Sequence, residues 1–267
     1  MIEAATTGVS RRADLGAFLR VRRAALRPSD VGLAENLRRH VPGLRREEVA
    51  ALAGISTTWY TWIEQGREIN MSPDVLEQIG EALRLRPHEV EYIKMLANDT
   101  TPLQCTLDPE VPDALRTLVE SHTAAPAYIA TPRFDMLVWN EFVSTIFGYS
   151  RDADEFSRNI LWRMFYDPKR RDLYADWEGA ARATVASFRH NYAQYRGDVH
   201  FERLLETMKA HPEFAKMWAM WEIQAPGLPP FKIKHPSLGL IELETIQASL
   251  GIAPGCYLVI FSSNKLS

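Results

Sequence analysis

Two sets of side chains have types and spacing suited to chemistry, and both suit binding. The first is basic. Residues 10–50 hold ten arginines (11, 12, 20, 22, 23, 27, 38, 39, 45 and 46) against five acids, a local charge of +5. A guanidinium pairs with phosphate through parallel N–H bonds. Ser56, Thr57, Thr58, Trp59, Thr61, Trp62 and Arg67 follow closely. Threonine hydroxyls bond base edges or phosphates, and threonine methyls touch thymine. The second set is apolar and aromatic: Phe134, Met136, Trp139, Phe142, Trp162, Phe165, Trp177, Phe188, Trp218 and Trp221. Large rings interleaved with methionines (Met136, Met164, Met217, Met220) suit an adaptable apolar cavity, or a core. If a ligand held there were an acid, Arg163 or Arg189 would supply the pairing charge; Arg163 equally has Asp167 four residues on.

Catalytic constellations are missing from the sequence. The seven histidines show no HExxH, and there is no GxSxG, GxxxxGK[ST] or GxGxxG. Asp176 and Glu178 flank Trp177 but face different ways on a helix. Cys105 and Cys256 form no CxxC, so neither a disulfide framework nor a zinc site is expected. The chain reads as a non-enzyme without metal or cofactor. No apolar run approaches the roughly 20 residues of a membrane span. The N-terminus has no signal-peptide core, so a cytoplasmic, nucleoid-associated protein is expected.

The whole chain averages this out. Thirty-one Lys and Arg against 34 Asp and Glu give 267 residues a net charge of −3. The +5 of residues 10–50 is followed by −4 over 51–99 and −3 over 100–267. Aromatics divide the same way: five of 27 precede residue 100. The segment NDTTPLQCTLDPEVPD (98–113), with three prolines, reads as the seam. The expected layout is a domain at 10–99, a linker at 100–112 and a second domain at 113–267.

The first domain must position its polar set on short helices. Leu15, Phe18, Leu19, Arg22 and Leu26 keep one helical face, ended by Pro28. A loop runs to Gly43. LRREEVAALAGISTTWYTWIEQGRE (44–68) then reads as helix, turn, helix. Val49, Ala53, Ile55, Tyr60 and Ile63 lock the pair, small Ala50 permits close approach, and Gly54 makes the turn. Ser56 caps a second helix at 57–65, whose outward residues are Ser56, Thr57, Thr58, Trp59, Thr61 and Trp62. Arg45, Arg46 and Arg67 flank it as phosphate contacts, with Arg38 and Arg39 behind. Pro73 and Pro87 open two further helices.

This stretch resembles the Cro/phage-repressor (XRE-type) helix-turn-helix family. The Arg-rich loop with GLRREEVAALAG resembles the MmyB-like regulators. The resemblance implies a five-helix all-α domain binding double-stranded operator DNA; one short recognition helix covers few base pairs, so a homodimer on paired half-sites is expected. Relatives usually carry Arg where this chain has Trp62, so their target sequences do not transfer. The modest local charge predicts weak nonspecific binding that falls steeply with salt.

The second domain mixes periods. AYIATPRFDMLVWN (127–140) reads as a hairpin leading into a helix capped by Asn140. Helical stripes follow at 172–195, 200–210 and 213–222, then strands at 231–236, 238–249 and 256–263. That order predicts an α+β domain on an antiparallel sheet. PAYIATPRFDMLVWN, KIKHPSLGLIELE and CYLVIFSS, with the blocks between, resemble the MmyB-like ligand-binding domain. The resemblance implies a PAS-like fold holding a fatty-acid-like or other small apolar effector. Two readings stand: a regulator whose DNA affinity the effector sets, or a constitutive regulator whose C-terminal domain only dimerises or binds protein.

Overall fold

The computed structural model describes the chain except residues 1, 35–40, 99–102, 153, 225, 226, 228, 238, 254 and 263–267, and the side chains of 2–10. The chain separates into two compact units, Met1–Pro102 and Leu103–Ser267. Arg38 and Arg39 lie outside the described residues.

The first unit is helical. Helix α1 (Ile2–Ala25) buries Leu15, Phe18 and Leu19 completely. A 3-10 turn follows at Pro28–Val31, where the proline ring fixes the backbone angle that the turn needs. Helices α2 (Arg46–Leu52) and α3 (Thr57–Glu64) form the helix-turn-helix. Between them Gly54 has φ +66°, a left-handed conformation that glycine adopts without steric cost. Val49, Ala50, Ala53, Tyr60 and Ile63 are all buried. Ser72 and Pro73 open α4 (Pro73–Ala82), and Pro87 opens α5 (Pro87–Ala97). Helix α1 crosses α3 so closely at Gly16 that a Cβ there would run into the Glu64 carbonyl.

The second unit is built on a five-stranded antiparallel sheet. Its strands are β1 (Ala127–Ala130), β2 (Met136–Trp139), β3 (Phe231–His235), β4 (Gly239–Ser249) and β5 (Tyr257–Ser262), in the order β2-β1-β5-β4-β3. Alternation sets the two faces. Ile233, Ile241, Leu243, Val259 and Phe261 point into the main core. On the other face α6 (Asp113–Glu120) lays Leu115 and Val119 against Ala127, Ile129 and Val138. The main core is completed by α7 (Glu141–Phe147), α8 (Ile160–Tyr166), α9 (Pro168–Leu173), α10 (Trp177–Gln194), α11 (Val199–Lys209) and α12 (Pro212–Trp218).

Asn140 does more than cap α7. Its amide oxygen accepts from Val143 N and Ala127 N, and its nitrogen donates to the carbonyls of His122 and Ala125. One side chain thus fixes helix, strand and preceding loop.

Two expected helices are shorter than the apolar stripes suggest. The stripe at 172–195 breaks at Tyr174–Asp176. Tyr174 bridges to Ile233, and Ala175 N donates to the Lys232 carbonyl, so this segment pairs with the β3 edge. Asp176 then restarts the helix by accepting from Gly179 N at 2.9 Å. The stripe at 213–222 ends at Trp218, and Trp221 takes φ +54°.

Candidate functional site

Helix α3 presents its first turn to solvent: Ser56, Thr57 and Thr58 are exposed, while Trp59 and Thr61 are partly so. Part of this polarity is already engaged. Ser56 Oγ accepts from Trp59 N at 3.1 Å, and Thr61 Oγ1 donates to the Thr57 carbonyl at 2.7 Å. Thr57 and Thr58 carry the outward hydroxyls of that turn. Trp62, 37% exposed, lies beneath the Arg67 guanidinium, 5.6 Å from ring centre to charge. Indole and guanidinium therefore form one cation–π unit at the C-terminal end of α3.

The two flanking arginines differ. Arg45 is exposed before α2, with its backbone N–H donating to Glu48 at 2.6 Å. Arg46 instead bonds Glu64 through Nε at 2.7 Å, although its side chain is 44% exposed. Glu64 is fully buried and also takes Arg23 through two bonds, 2.6 and 3.2 Å. Burial works against the Arg23 charge, and the Glu64 bonds and field outweigh it, so its pKa lies above the ordinary guanidinium value. Arg46 thus ties α2 to α3, a role that the sequence signals only through an acid at an inward position.

In the second unit a cavity of about 430 Å³ opens between α10 and β3. Its walls are Gly179, Ala180, Ala183 and Thr184 of α10, Tyr174, Ala175 and Asp176 before it, Met164, Pro229, Pro230, and Phe231, Lys232 and Glu242 of the sheet. Small residues on one helix face leave room that larger ones would fill. Thr184 Oγ1 donates to the Ala180 carbonyl at 2.8 Å, so this hydroxyl is satisfied within the helix. Lys232 and Glu242 face each other at 3.9 Å.

The eleven residues expected at a ligand site lie elsewhere; of the residues named with them, Met164 lines this cavity. Phe188, fully buried, stacks on Phe201 at 5.7 Å and meets Phe134 and Trp218. Phe165 packs edge-on against Trp177 and Phe214. Trp177 Nε1 donates to the Met164 carbonyl, and Trp139 Nε1 to Ser144. Met136 is buried and Phe142 half-buried against the same core. Trp162 stacks on Tyr166 at 5.1 Å and, with Arg163, lines a separate groove of about 400 Å³. Arg163 bonds Asp167 at 2.6 Å, and Arg189 donates to the Trp218 carbonyl between the Trp218 and Trp221 rings.

The two cysteines, distant in sequence, line one further cavity of about 240 Å³. Burial pushes the Cys105 thiol up to about 12 and raises that of Cys256. Both are therefore protonated and weakly nucleophilic at neutral pH. Among the described residues no cluster of three or more His, Cys, Asp or Glu could hold a metal ion. No helix among them is long and apolar enough to cross a membrane.

A helix-turn-helix with an exposed polar turn, followed by an α+β unit with a small-molecule-sized cavity, defines a DNA-binding regulator with a ligand-binding module. Residues 14–93 match the helix-turn-helix domain family. Residues 111–266, more than half of the chain, match the MmyB-like transcription regulator ligand binding domain, and the chain belongs to that family. No curated protein matches the chain.

Proposed function

We propose that the chain is a sequence-specific regulator whose operator affinity is set by a small apolar, fatty-acid-like effector in the C-terminal unit. The observation that supports the sensor half is the 430 Å³ cavity, whose lining sets Gly179, Ala180, Ala183, Pro229 and Pro230 beside Met164, Tyr174 and Phe231, with Asp176, Lys232 and Glu242 among its polar groups. A wall of small residues at the end of a long helix is a place for another molecule's bulk. On the DNA half, Thr57 and Thr58 meet base edges, and Arg45 and the Trp62–Arg67 pair meet phosphate and sugar. A single short recognition helix covers few base pairs, so a homodimer on paired half-sites is the working geometry. An effector shifts DNA affinity only by its differential affinity for two states of the dimer, and half-site spacing is the natural variable between them.

The test is binding to the DNA upstream of the chain's own coding sequence, for the wild type, Arg45→Ala and Thr58→Ala. Both substituted side chains are solvent-facing, so folding is preserved. Each variant is expected to lose about 10-fold, Thr58→Ala at particular sequences and Arg45→Ala with a shallower salt slope. Unchanged binding in both removes the assignment of this surface. Mass spectrometry of an organic extract of the purified protein tests the sensor half: near-stoichiometric apolar material supports it, and an empty extract favours the constitutive reading.

A further inference from the structure

The sheet of the second unit has a face that its own helices only half use. On that face α6 covers β1 and β2, where Leu115 and Val119 meet Ala127, Ile129 and Val138. Further along, on β4, the outward side chains Glu242, Glu244, Ile246 and Ala248 are all exposed. The register sets Ile246 beside Ile260 and Ala248 beside Leu258. Ile246 is 61% exposed, and Ile260 and Leu258 are half-buried at the margin of the α6 cluster. An antiparallel sheet with one face in water ordinarily turns polar side chains to that face. Here four apolar side chains on two neighbouring strands form one continuous patch, the kind of surface that marks an interaction site.

Charge lies beside the patch on the same face. Strand β3 supplies Lys232 and Lys234, and β4 supplies Glu242 and Glu244, all exposed. Lys232 and Glu242 stand opposite each other at 3.9 Å. Lys234 and Glu244 do not oppose each other; their partners in register are Leu240 and Ser262. Two lysines and two glutamates cancel. A face of one sign would repel its own copy and attract nucleic acid or an oppositely charged protein, and a cancelling face does neither. Under a two-fold axis the same patch meets itself, so the lysines of one copy can lie against the glutamates of the other around the apolar centre. Lys232 and Glu242 also line the cavity between α10 and β3, so face and cavity share one ion pair.

We propose that the outer face of β3, β4 and β5 is the surface on which a second copy of this chain docks, with Ile246 at its apolar centre and the lysine and glutamate rows meeting across it. This rests on the chain working as a homodimer, and it names the surface that makes one.

The experiment is analytical ultracentrifugation of the full-length protein without DNA. The wild type is expected to dimerise at about 10 μM or below. Ile246→Glu places an unpaired charge at the centre of the contact and is expected to weaken the dimer about 10-fold or more. The replaced side chain faces solvent in the single chain, so the fold is preserved, and melting curves establish it. Charge supplies a second arm that does not depend on Ile246. Lys234→Glu makes the face net acidic and Glu244→Lys makes it net basic. Each variant alone should associate several-fold more weakly, and an equimolar mixture of the two should recover the lost affinity. Recovery on mixing is a result that a merely structural role would not produce. A wild-type dimer indifferent to all three substitutions overturns this face and leaves the homodimer, built on another surface. A wild type still monomeric at about 100 μM also overturns the face. If that monomer binds its DNA singly, the homodimer falls with it.

Discussion

Each unit gathers arginines in its interior, and the two gatherings are not alike. In the first, Arg23 and Arg46 converge on one fully buried carboxylate, Glu64, and Arg46 keeps nearly half of its side chain in water. In the second, Arg163 and Arg170 share one ring and one carboxylate, and Asp167 is spent on Arg163. The first arrangement is closed: every buried charge meets an opposite one, and its effect is to hold α1, α2 and α3 together. The second is open. A cation held by a carboxylate and a cation held mainly by ring faces answer differently to the loss of a partner.

The comparison breaks most visibly at Glu64. Glu64→Gln leaves Arg23 largely buried beside a neutral amide, and removing one partner of such a pair costs about 3 kcal/mol. Chemical denaturation followed in the first unit should register that loss. Arg46→Ala, which removes the half-exposed partner, should cost less than about 1 kcal/mol. Equal losses would mean that Glu64 is not the hub.

Backbone approach is the next largest effect. Gly16→Ala drives a methyl into the Glu64 carbonyl, where only a shift of α1 against α3 gives relief. About 1–3 kcal/mol is expected, measured in the same way. The shift would also displace Glu64, so Gly16→Ala and Glu64→Gln should combine less than additively.

Legibility in the sequence follows the same division. The helix-turn-helix lies within twenty residues, and its demands are local: inward apolar positions, a small residue at the crossing, a glycine in the turn. Val49, Ala50, Gly54, Tyr60 and Ile63 could therefore be assigned by counting. The strands were equally plain, because Ile241 and Leu243 alternate with Glu242 and Glu244. The cavity was not. A search for bulky rings finds a core, since bulk fills space, and Phe188, Phe165 and Trp177 do so. Room arises where side chains are small, as at Gly179, Ala180 and Ala183, and only the fold shows which small residues face one another. Arg46 was hard to read for a related reason. Its partner lies eighteen residues on, at a position to which the helix-turn-helix pattern assigns no role.

The open centre gives a smaller effect on folding, of opposite sign. Arg170→Met replaces a buried charge that lies against the Phe147 and Tyr149 rings by an apolar side chain of similar length. Such replacements are neutral or stabilise, here by about 0–2 kcal/mol. A rise in melting temperature in the variant, against the fall in Glu64→Gln, would place the two centres on opposite sides of the compensation line. A fall comparable to that of Glu64→Gln would make Arg170 a structural charge like Arg23.

The smallest effect belongs to a pair that needs neither kind of compensation. Arg171 and Glu213 bond at 2.5 and 3.1 Å, with side chains 56% and 39% exposed. The Arg171 hydrogen bond holds the Glu213 carboxyl below its ordinary value of 4.5. A carboxyl lowered by folding stabilises the fold above its unfolded value, and that contribution disappears as pH falls from about 4.5 through the folded value. Water and salt screen both groups, so the difference between wild type and Glu213→Gln should stay under about 0.5 kcal/mol at neutral pH and vanish once the carboxyl is protonated in the folded protein. Added salt should shrink it further, while leaving the Glu64→Gln penalty nearly intact, because Debye screening reaches surface charges and not a carboxylate closed off from solvent. A Glu213 effect as large and as salt-resistant as that of Glu64 would show that exposure, rather than partner count, had been misjudged as the deciding variable.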